Sequence, residues 1–160
     1  MSADLENTLY LELKDGRVII ALRPDLAPNH VARIKELVRD GFYDGLKFHR
    51  VIEGFMAQTG DPRGDGTGGS GQKLDAEFND EPHVRGTCSM ARAQNPNSAD
   101  SQFFICFDDA RFLDGQYTVW GEVIEGMEAV DALAKAPAHD RSGMVPNPDK
   151  LLSAKVAADA

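Results

Sequence analysis

An arginine between two large apolar residues is the first position in the sequence at which chemistry is expected. The stretch FHRVIEGFMAQ predicts one strand over 47–52 and a second over 55–59. Because side chains alternate between the two faces of a strand, Arg50 is expected to share a face with Phe48 and Ile52. Two interpretations follow. Either the stem of the arginine packs on the sheet while its charged head is solvated, or its fixed donors are kept from water for a bound ligand.

A glycine-rich stretch at 64–69, GDGTGG, matches the letters of the dinucleotide-binding turn G-x-G-x-x-G. That turn needs a strand that enters it directly and a helix that opens on its third glycine. Here Asp61, Pro62 and Arg63 end the strand early and no helical pattern follows, so nucleotide binding is not expected. The stretch lies in a predicted loop over 61–85, and loops of this length in compact domains are usually functional or mobile.

The histidines and cysteines match no motif for metal binding or for nucleophilic catalysis. The histidines are His30, His49, His83 and His139. Their spacing fits no zinc pattern, and no G-x-S-x-G turn is present. No metal or cofactor is therefore expected. Cys88 and Cys106 lie in apolar or small-residue runs and are expected to be buried, reduced thiols.

The composition predicts a single globular domain over 1–160. Of the 160 residues, 42% are hydrophobic and 27% are charged, which is ordinary for a chain that folds alone. The net charge of -9 repels phosphate backbones and anionic lipid surfaces. The start MSADLENTLY lacks the basic and apolar runs of a secretory signal, and no apolar run could span a bilayer. We therefore expect a cytoplasmic chain that binds neither nucleic acid nor membranes; a monomer is also expected.

The remaining pattern predicts a mainly β chain with two helices. A hairpin is expected over 8–13 and 17–22, because an Asp-Gly pair separates two apolar runs. Apolar residues at helical spacing predict helices over 29–38 and 127–134. Further strands are expected over 87–92, 102–106, 117–124 and 151–157. About eight short strands with two helices suggest an antiparallel barrel or sandwich.

Four motifs in order carry a resemblance to a known family. They are FHRVIEGFMAQTGD at 48–61, SMARAQ at 89–94, SQFFI at 101–105 and FLDGQYTVWGEV at 112–123. The chain resembles the cyclophilin family of peptidyl-prolyl cis-trans isomerases from its first hairpin to its last strand. The resemblance implies an eight-stranded antiparallel β-barrel closed by two α-helices, a shallow peptide groove on its outer face, and no cofactor.

The resemblance also implies roles for individual residues. Arg50 matches the catalytic arginine of the family. The proline pocket is matched by Phe55, Met56, Phe104 and Leu113. Contacts with the backbone of the peptide are matched by Gln58, Gln102, Ala91, Arg92 and Ala93. Tyr117 is expected to contact the carbonyl oxygen that turns.

Three positions depart from the pattern of the best-known eukaryotic members. Phe112 stands where tryptophan is usual, Tyr117 where histidine is usual, and Arg92 where asparagine is usual. The loop over 94–100 is also one residue longer, which is similar to bacterial forms. Phenylalanine lacks the indole N–H donor of tryptophan, so only weak binding of cyclosporin-type ligands is expected at Phe112.

The function that the resemblance implies is rotation about X-Pro peptide bonds in unfolded or flexible chains. Such rotation meets a barrier of about 18 to 20 kcal/mol, because the lone pair of the amide nitrogen is shared with the carbonyl. A guanidinium at Arg50 that donates to the prolyl nitrogen would stabilise the twisted state over both planar states. The alternative is a non-catalytic module or scaffold that binds proline-containing peptides.

Overall fold

A computed structural model of the chain describes residues 4–137 and 142–160, and within them it shows a mainly β protein. Its strands are β1 Thr8–Leu13, β2 Gly16–Leu22, β3 Leu46–Lys47, β4 Arg50–Ile52, β5 Met56–Thr59, β6 Thr87–Met90, β7 Phe103–Cys106, β8 Val119–Glu125, β9 Lys150–Leu151 and β10 Ser153–Val156. Its helices are α1 Pro28–Arg39 and α2 Met127–Asp131. None of the described helices is long enough and apolar enough to cross a bilayer.

Eight of the strands form one antiparallel sheet in the order β10-β1-β2-β8-β6-β7-β5-β4. The sheet curls, so its two margins approach each other. Within the described residues the edge strands β4 and β10 do not pair directly, and the small sheet of β3 and β9 lies between them. A backbone hydrogen bond from Val51 N–H to the Gly143 carbonyl ties β4 to the segment before β9, and one from Leu152 N–H to the Glu12 carbonyl ties the end of β9 to β1. The predicted eight antiparallel strands and two helices are confirmed.

The predicted first hairpin is present, with β1 and β2 paired around the Asp15-Gly16 turn. Alternate residues of both strands face a core in which Leu9, Leu11 and Ile20 are almost fully buried. This period of two arises because successive side chains point to opposite faces of a strand. The hairpin therefore forms one wall of the core.

The two helices cover the core, and their ends differ from the predicted ones. α1 begins one residue earlier than expected because Pro28 suits the first turn of a helix, and it buries Val31, Ile34, Leu37 and Val38. α2 ends at Asp131 rather than at 134. After this end the Ala134 N–H donates to the Asp149 carboxylate at 2.7 Å instead of to a carbonyl of the preceding helical turn.

The predicted strand over 47–52 is wrong in one respect that matters for Arg50. The chain forms two strands, β3 and β4, with a break at 48–49. Because of this break Phe48 is fully buried in the main core, on the same side as Val51. Ile52 instead packs in a second apolar cluster with Arg50 on its own face of β4. Phe48 and Arg50 therefore do not share a face.

Other predicted strands agree with the structure to within two residues, except that the strand over 151–157 is split into β9 and β10. Between β5 and β6 the structure has no helix or strand apart from an isolated bridge between Leu74 and Ala99, as expected for a long loop. Cys88 and Cys106 are buried free thiols, as predicted. Among the described residues no group of three potential ligands could hold a metal ion. His139 lies outside these residues.

Candidate functional site

Arg50 lies at the edge of the sheet, where two neighbouring segments hold its side chain. It is the first residue of β4 and pairs with Gln58 of β5. Its Nε donates to the Ser142 carbonyl at 3.0 Å, and its Nη1 donates to Gln58 Oε1 at 3.4 Å. A guanidinium has five N–H donors, and within the described residues Nη2 has no hydrogen-bond partner. Arg50 is therefore oriented and still has donors for a ligand.

Gly143 permits the chain to pass close over Arg50. Its φ of +75° is a conformation that residues with a Cβ rarely adopt. A Cβ at Gly143 would lie 2.6 Å from Ile52 Cγ1 and 3.1 Å from Arg50 Cγ. The segment that contains Gly143 and Ser142 therefore covers the stem of Arg50 only because position 143 has no side chain.

A small cavity of about 140 Å³ lies beside the arginine. Of the twelve residues predicted for the site, nine line it: Arg50, Phe55, Met56, Gln58, Ala91, Arg92, Phe104, Leu113 and Tyr117. Ligand pockets for drug-sized molecules usually measure about 300 to 1,000 Å³. This cavity is therefore suited to one small group such as a single ring.

The apolar part of the cavity belongs to a cluster that is separate from the main core. Met56 and Phe104 are buried in it, with Phe55, Leu113 and Tyr117 packed against them. Phe103, the neighbour of Phe104 on β7, faces the main core instead. Adjacent residues of a strand face opposite sides, so Phe104 leaves the main core, and it remains only 5% exposed because this second cluster covers it.

His83 packs behind two residues that line the cavity, Phe104 and Tyr117, and was not predicted as a site residue. Its ring stacks on Phe104 at a centroid distance of 6.1 Å and meets Tyr117 edge-on at 6.5 Å. Nδ1 lies 3.0 Å from the Asp114 carboxylate and Nε2 lies 2.9 Å from Ser89 Oγ. Burial lowers the pKa of His83, and the Asp114 carboxylate opposes this effect. No sequence motif signals such a residue, since its partners come from separate segments.

Arg92 forms the wall between this cavity and a second one. Its guanidinium lies 4.8 Å from the centre of the Tyr117 ring and donates to the carbonyls of Gln116, Ala93 and Gln94. With its donors used in this way, Arg92 stiffens the segment that follows β6. The expected strand over 87–92 ends at Met90, so 91–93 continue it without regular pairing.

The second cavity measures about 260 Å³ and, unlike the first, is lined by no aromatic residue. Ala93 and Gln102 line it, and it shares Gln58, Ala91 and Arg92 with the first cavity. Phe112 lines neither cavity. It is 68% exposed and packs on Phe55 at a ring-centroid distance of 5.7 Å. Eleven of the twelve predicted residues therefore surround two adjoining cavities, and Phe112 lies at their rim.

A hydrogen-bonded chain of side chains links Arg50 to the long loop between β5 and β6. Gln58 Nε2 donates to Gln102 Oε1 at 2.8 Å. Gln102 Nε2 donates in turn to the carbonyls of Gly66 and Gly68, at 3.0 and 2.9 Å. The expected contact of both glutamines with a peptide stays a prediction, and the structure shows that both N–H donors of the Gln102 amide are already used within the chain.

Comparison with known proteins defines the class to which this fold and site belong. Residues 8–156 match the model of the cyclophilin type peptidyl-prolyl cis-trans isomerase family. A probable peptidyl-prolyl cis-trans isomerase from Brucella suis is 58% identical over 170 residues, with 99% of this chain and 86% of the relative covered. A peptidyl-prolyl cis-trans isomerase from Synechococcus elongatus is 44% identical, with 94% and 96% covered.

Solved structures agree with the sequence relatives. The crystal structure of a cyclophilin from Hirschia baltica superposes with a TM-score of 0.88 at 33% identity, covering 100% of this chain and 77% of the other. A cyclophilin type isomerase from Cryptosporidium parvum, crystallised in the presence of the dipeptide Ala-Pro, gives a TM-score of 0.85 at 30% identity, with 93% and 98% covered. The chain therefore belongs to the family of cyclophilin-type peptidyl-prolyl cis-trans isomerases. The predicted family and enzyme class are confirmed.

Proposed function

We propose that this protein accelerates rotation about X-Pro bonds by holding the proline ring in the smaller cavity beside Arg50. The observation that carries the proposal is the position of the guanidinium. It lies beside the apolar cluster that forms part of the cavity lining, held by Ser142 and Gln58, with Nη2 free of partners among the described residues. A donor in this place reaches a prolyl nitrogen whose ring occupies the cavity.

The apolar side chains anchor the ring while the preceding carbonyl turns. Phe104, Met56 and Leu113 offer an aromatic, a thioether and an aliphatic surface, a combination that suits the apolar faces of a pyrrolidine ring. Without such an anchor the whole peptide would rotate and the bond would not be twisted. Tyr117, at the wall, is placed to contact the turning oxygen.

The polar rim suits an extended peptide backbone. Neither the N–H of Arg92 nor the carbonyl of Ala91 makes a hydrogen bond within the described part of the chain, so both can pair with a peptide that lies along 91–93. Unfolded or flexible segments that contain proline are the proposed substrates, since only an extended chain fits this arrangement. Cyclosporin-type ligands are expected to bind weakly at the same surface.

Arg50 stabilises the transition state more than either ground state. In the planar amide the nitrogen lone pair is delocalised, and it becomes a hydrogen-bond acceptor only when the bond is twisted. An interaction that exists only in the twisted state raises kcat. The reaction needs no proton transfer to a side chain and no covalent intermediate. We propose that the chain acts as a monomer, with 1–160 as a single isomerase domain.

Exchange spectroscopy on a short X-Pro peptide tests the role of Arg50. The Arg50→Ala variant is expected to lose about 10²- to 10³-fold in kcat, the loss typical of removing one preorganised donor, while it stays folded by circular dichroism. Arg17→Ala is the matched control, because Arg17 is a half-exposed arginine paired with Glu12 on the first hairpin. Full activity of a folded Arg50→Ala variant would refute the mechanism.

The same experiment decides between the enzyme and a binding module. The wild type could bind the peptide while exchange still takes the uncatalysed time of about 10 to 100 s. In that case the chain binds proline peptides without catalysing rotation of the X-Pro bond.

A further inference from the structure

Asp61 is a buried carboxylate that organises the glycine-rich loop, by which we mean residues 61–71. It follows β5 by two residues and is only 1% exposed. Its oxygens accept hydrogen bonds from the backbone N–H groups of Arg63, Asp65 and Gly66, at 2.8, 3.1 and 2.5 Å. Burial by itself would raise the pKa of Asp61, but these donors outweigh it and lower the pKa. Asp61 is therefore a charged group to which the backbone of the loop is hydrogen-bonded at three positions.

The loop can close around this carboxylate only because glycine stands at position 68. A Cβ at Gly68 would overlap Asp61 Oδ1 and would also lie 3.1 Å from Arg63 Cγ. The GDGTGG stretch, which does not form a dinucleotide-binding turn, thus has another use: it lets the backbone approach Asp61 closely. As a result the carbonyls of Gly66 and Gly68 point at Gln102.

These two carbonyls determine the orientation of both glutamine amides. A carbonyl can only accept, so the group of Gln102 that faces Gly66 and Gly68 must be its NH₂. Gln102 Oε1 then faces Gln58, whose NH₂ donates to it. Gln58 in turn presents Oε1, an acceptor, to the guanidinium of Arg50. If the Gln102 amide turned over, Gln58 would follow and would present donors to a group that has only donors.

We propose that Asp61 is a positioning residue for the isomerase reaction, which orients Arg50 through the glycine-rich loop, Gln102 and Gln58. This inference rests on the proposed function of Arg50. The role of the loop is to hold the carbonyls of Gly66 and Gly68 in the position that orients the two glutamine amides. Asp61 does not reach the cavity and touches no substrate, since it lines neither of the two cavities.

Two variants perturb the loop by different means. Asp61→Asn replaces an acceptor-only group by one whose NH₂ meets backbone N–H donors, so at least one of the three hydrogen bonds is lost. Gly68→Ala leaves the charge in place and displaces the loop sterically. Asp65→Asn is the matched control: it removes a carboxylate from the same loop, but Asp65 is exposed and its carboxylate bonds only to Thr67.

The expected result is a split between kcat and KM. Misplacing a catalytic group by about 1 Å can lower the rate by about 10²-fold, so both loop variants are expected to lose about 10- to 10²-fold in kcat. Neither Asp61 nor Gly68 lines the smaller cavity, which holds the proline ring, so KM for a short X-Pro peptide that occupies only this cavity is expected to stay within about twofold. Asp65→Asn is expected to keep both constants within about twofold. Circular dichroism and thermal unfolding establish that each variant is folded.

A double-mutant cycle separates positioning from general destabilisation. In an Arg50→Lys background the guanidinium is absent, so Asp61→Asn is expected to cause no further loss of kcat. In wild-type background the side-chain amide NMR signals of Gln58 and Gln102 are expected to shift in Asp61→Asn and not in Asp65→Asn.

Three results would overturn the inference while leaving the proposed function intact. They are wild-type kcat in folded Asp61→Asn, an equal loss of kcat on adding Asp61→Asn to Arg50→Lys, and unchanged glutamine amide signals. A wild type that fails to accelerate exchange would overturn the proposed function as well.

Discussion

Lowering the pH from about 7 to about 5 is expected to destabilise this protein through its buried histidines. His30, His49 and His83 are each no more than 2% exposed. In all three, burial lowers the pKa, although neighbouring carboxylates oppose the effect. The carboxylates in direct contact are Glu77 at His30 and Asp114 at His83.

The direction in which pH changes the free energy of unfolding follows from proton uptake on unfolding. In the unfolded chain a histidine titrates near its ordinary pKa of about 6.5, whereas in the folded protein it stays neutral to lower pH. Below about pH 6.5 the unfolded state therefore binds more protons, and the free energy of unfolding falls as the pH falls. The loss ends at the lowered pKa of the folded state.

The magnitude has an upper limit set by the number of histidines. Each contributes at most about 1.4 kcal/mol per pH unit, so three contribute at most about 4 kcal/mol per pH unit. Total stabilities of small domains are about 5 to 15 kcal/mol, so the effect is large enough to measure. Asp61 and Asp114 also have lowered pKa values, but protonation of aspartate in the unfolded chain only begins near pH 5, at the lower edge of this window.

Urea unfolding at several pH values, monitored by fluorescence of the single tryptophan, Trp120, measures the change in the free energy of unfolding per pH unit. His49→Phe is the informative variant, because within the described residues no carboxylate bonds directly to His49. It is expected to reduce the slope by up to about 1.4 kcal/mol per pH unit. A free energy of unfolding that is constant between about pH 6.5 and about pH 5 would refute the reasoning, because it would mean that the histidines titrate alike in both states.

Two further predictions concern the groove rim and the thiols. Phe112→Trp adds an indole N–H at a position that is 68% exposed, and it is expected to tighten cyclosporin binding by about two- to tenfold, the range of one hydrogen bond; unchanged affinity by calorimetry would contradict this. Cys88 and Cys106 are expected to resist a thiol reagent in the native protein and to react on unfolding, because burial raises the pKa of both, that of Cys106 to about 12. Labelling of either thiol at the rate of a free cysteine would show that the strands open readily.

Much of the fold and of the cavity was predictable because the signals are local. The alternation in β1 and β2 and the Asp-Gly turn predict a hairpin without reference to the rest of the chain. The neighbours Phe103 and Phe104 must face opposite sides of a strand, so one of them leaves the main core for the apolar cluster beside the cavity. The four motifs add the identity of the family, and nine of the residues they indicate line one cavity.

Contacts that depend on backbone groups or on distant segments had no signal in the sequence. Ser142 binds Arg50 through its carbonyl, a group that every residue has. Asp114 and Ser89 hold His83 behind Phe104 and Tyr117, and no spacing in the sequence predicts these contacts. The break at 48–49 places Phe48 in the core. It lies where residues 48–51 form backbone hydrogen bonds with residues 143–149.

The sequence by itself thus determined the class of fold, the family and the set of side chains that meet at the cavity, because side-chain alternation, turn residues and motifs are properties of short segments. The tertiary structure decided how Arg50 is oriented and what the glycine-rich loop does. Those depend on the direction of individual amide and carbonyl groups, which is set by pairing between segments that are far apart in the chain.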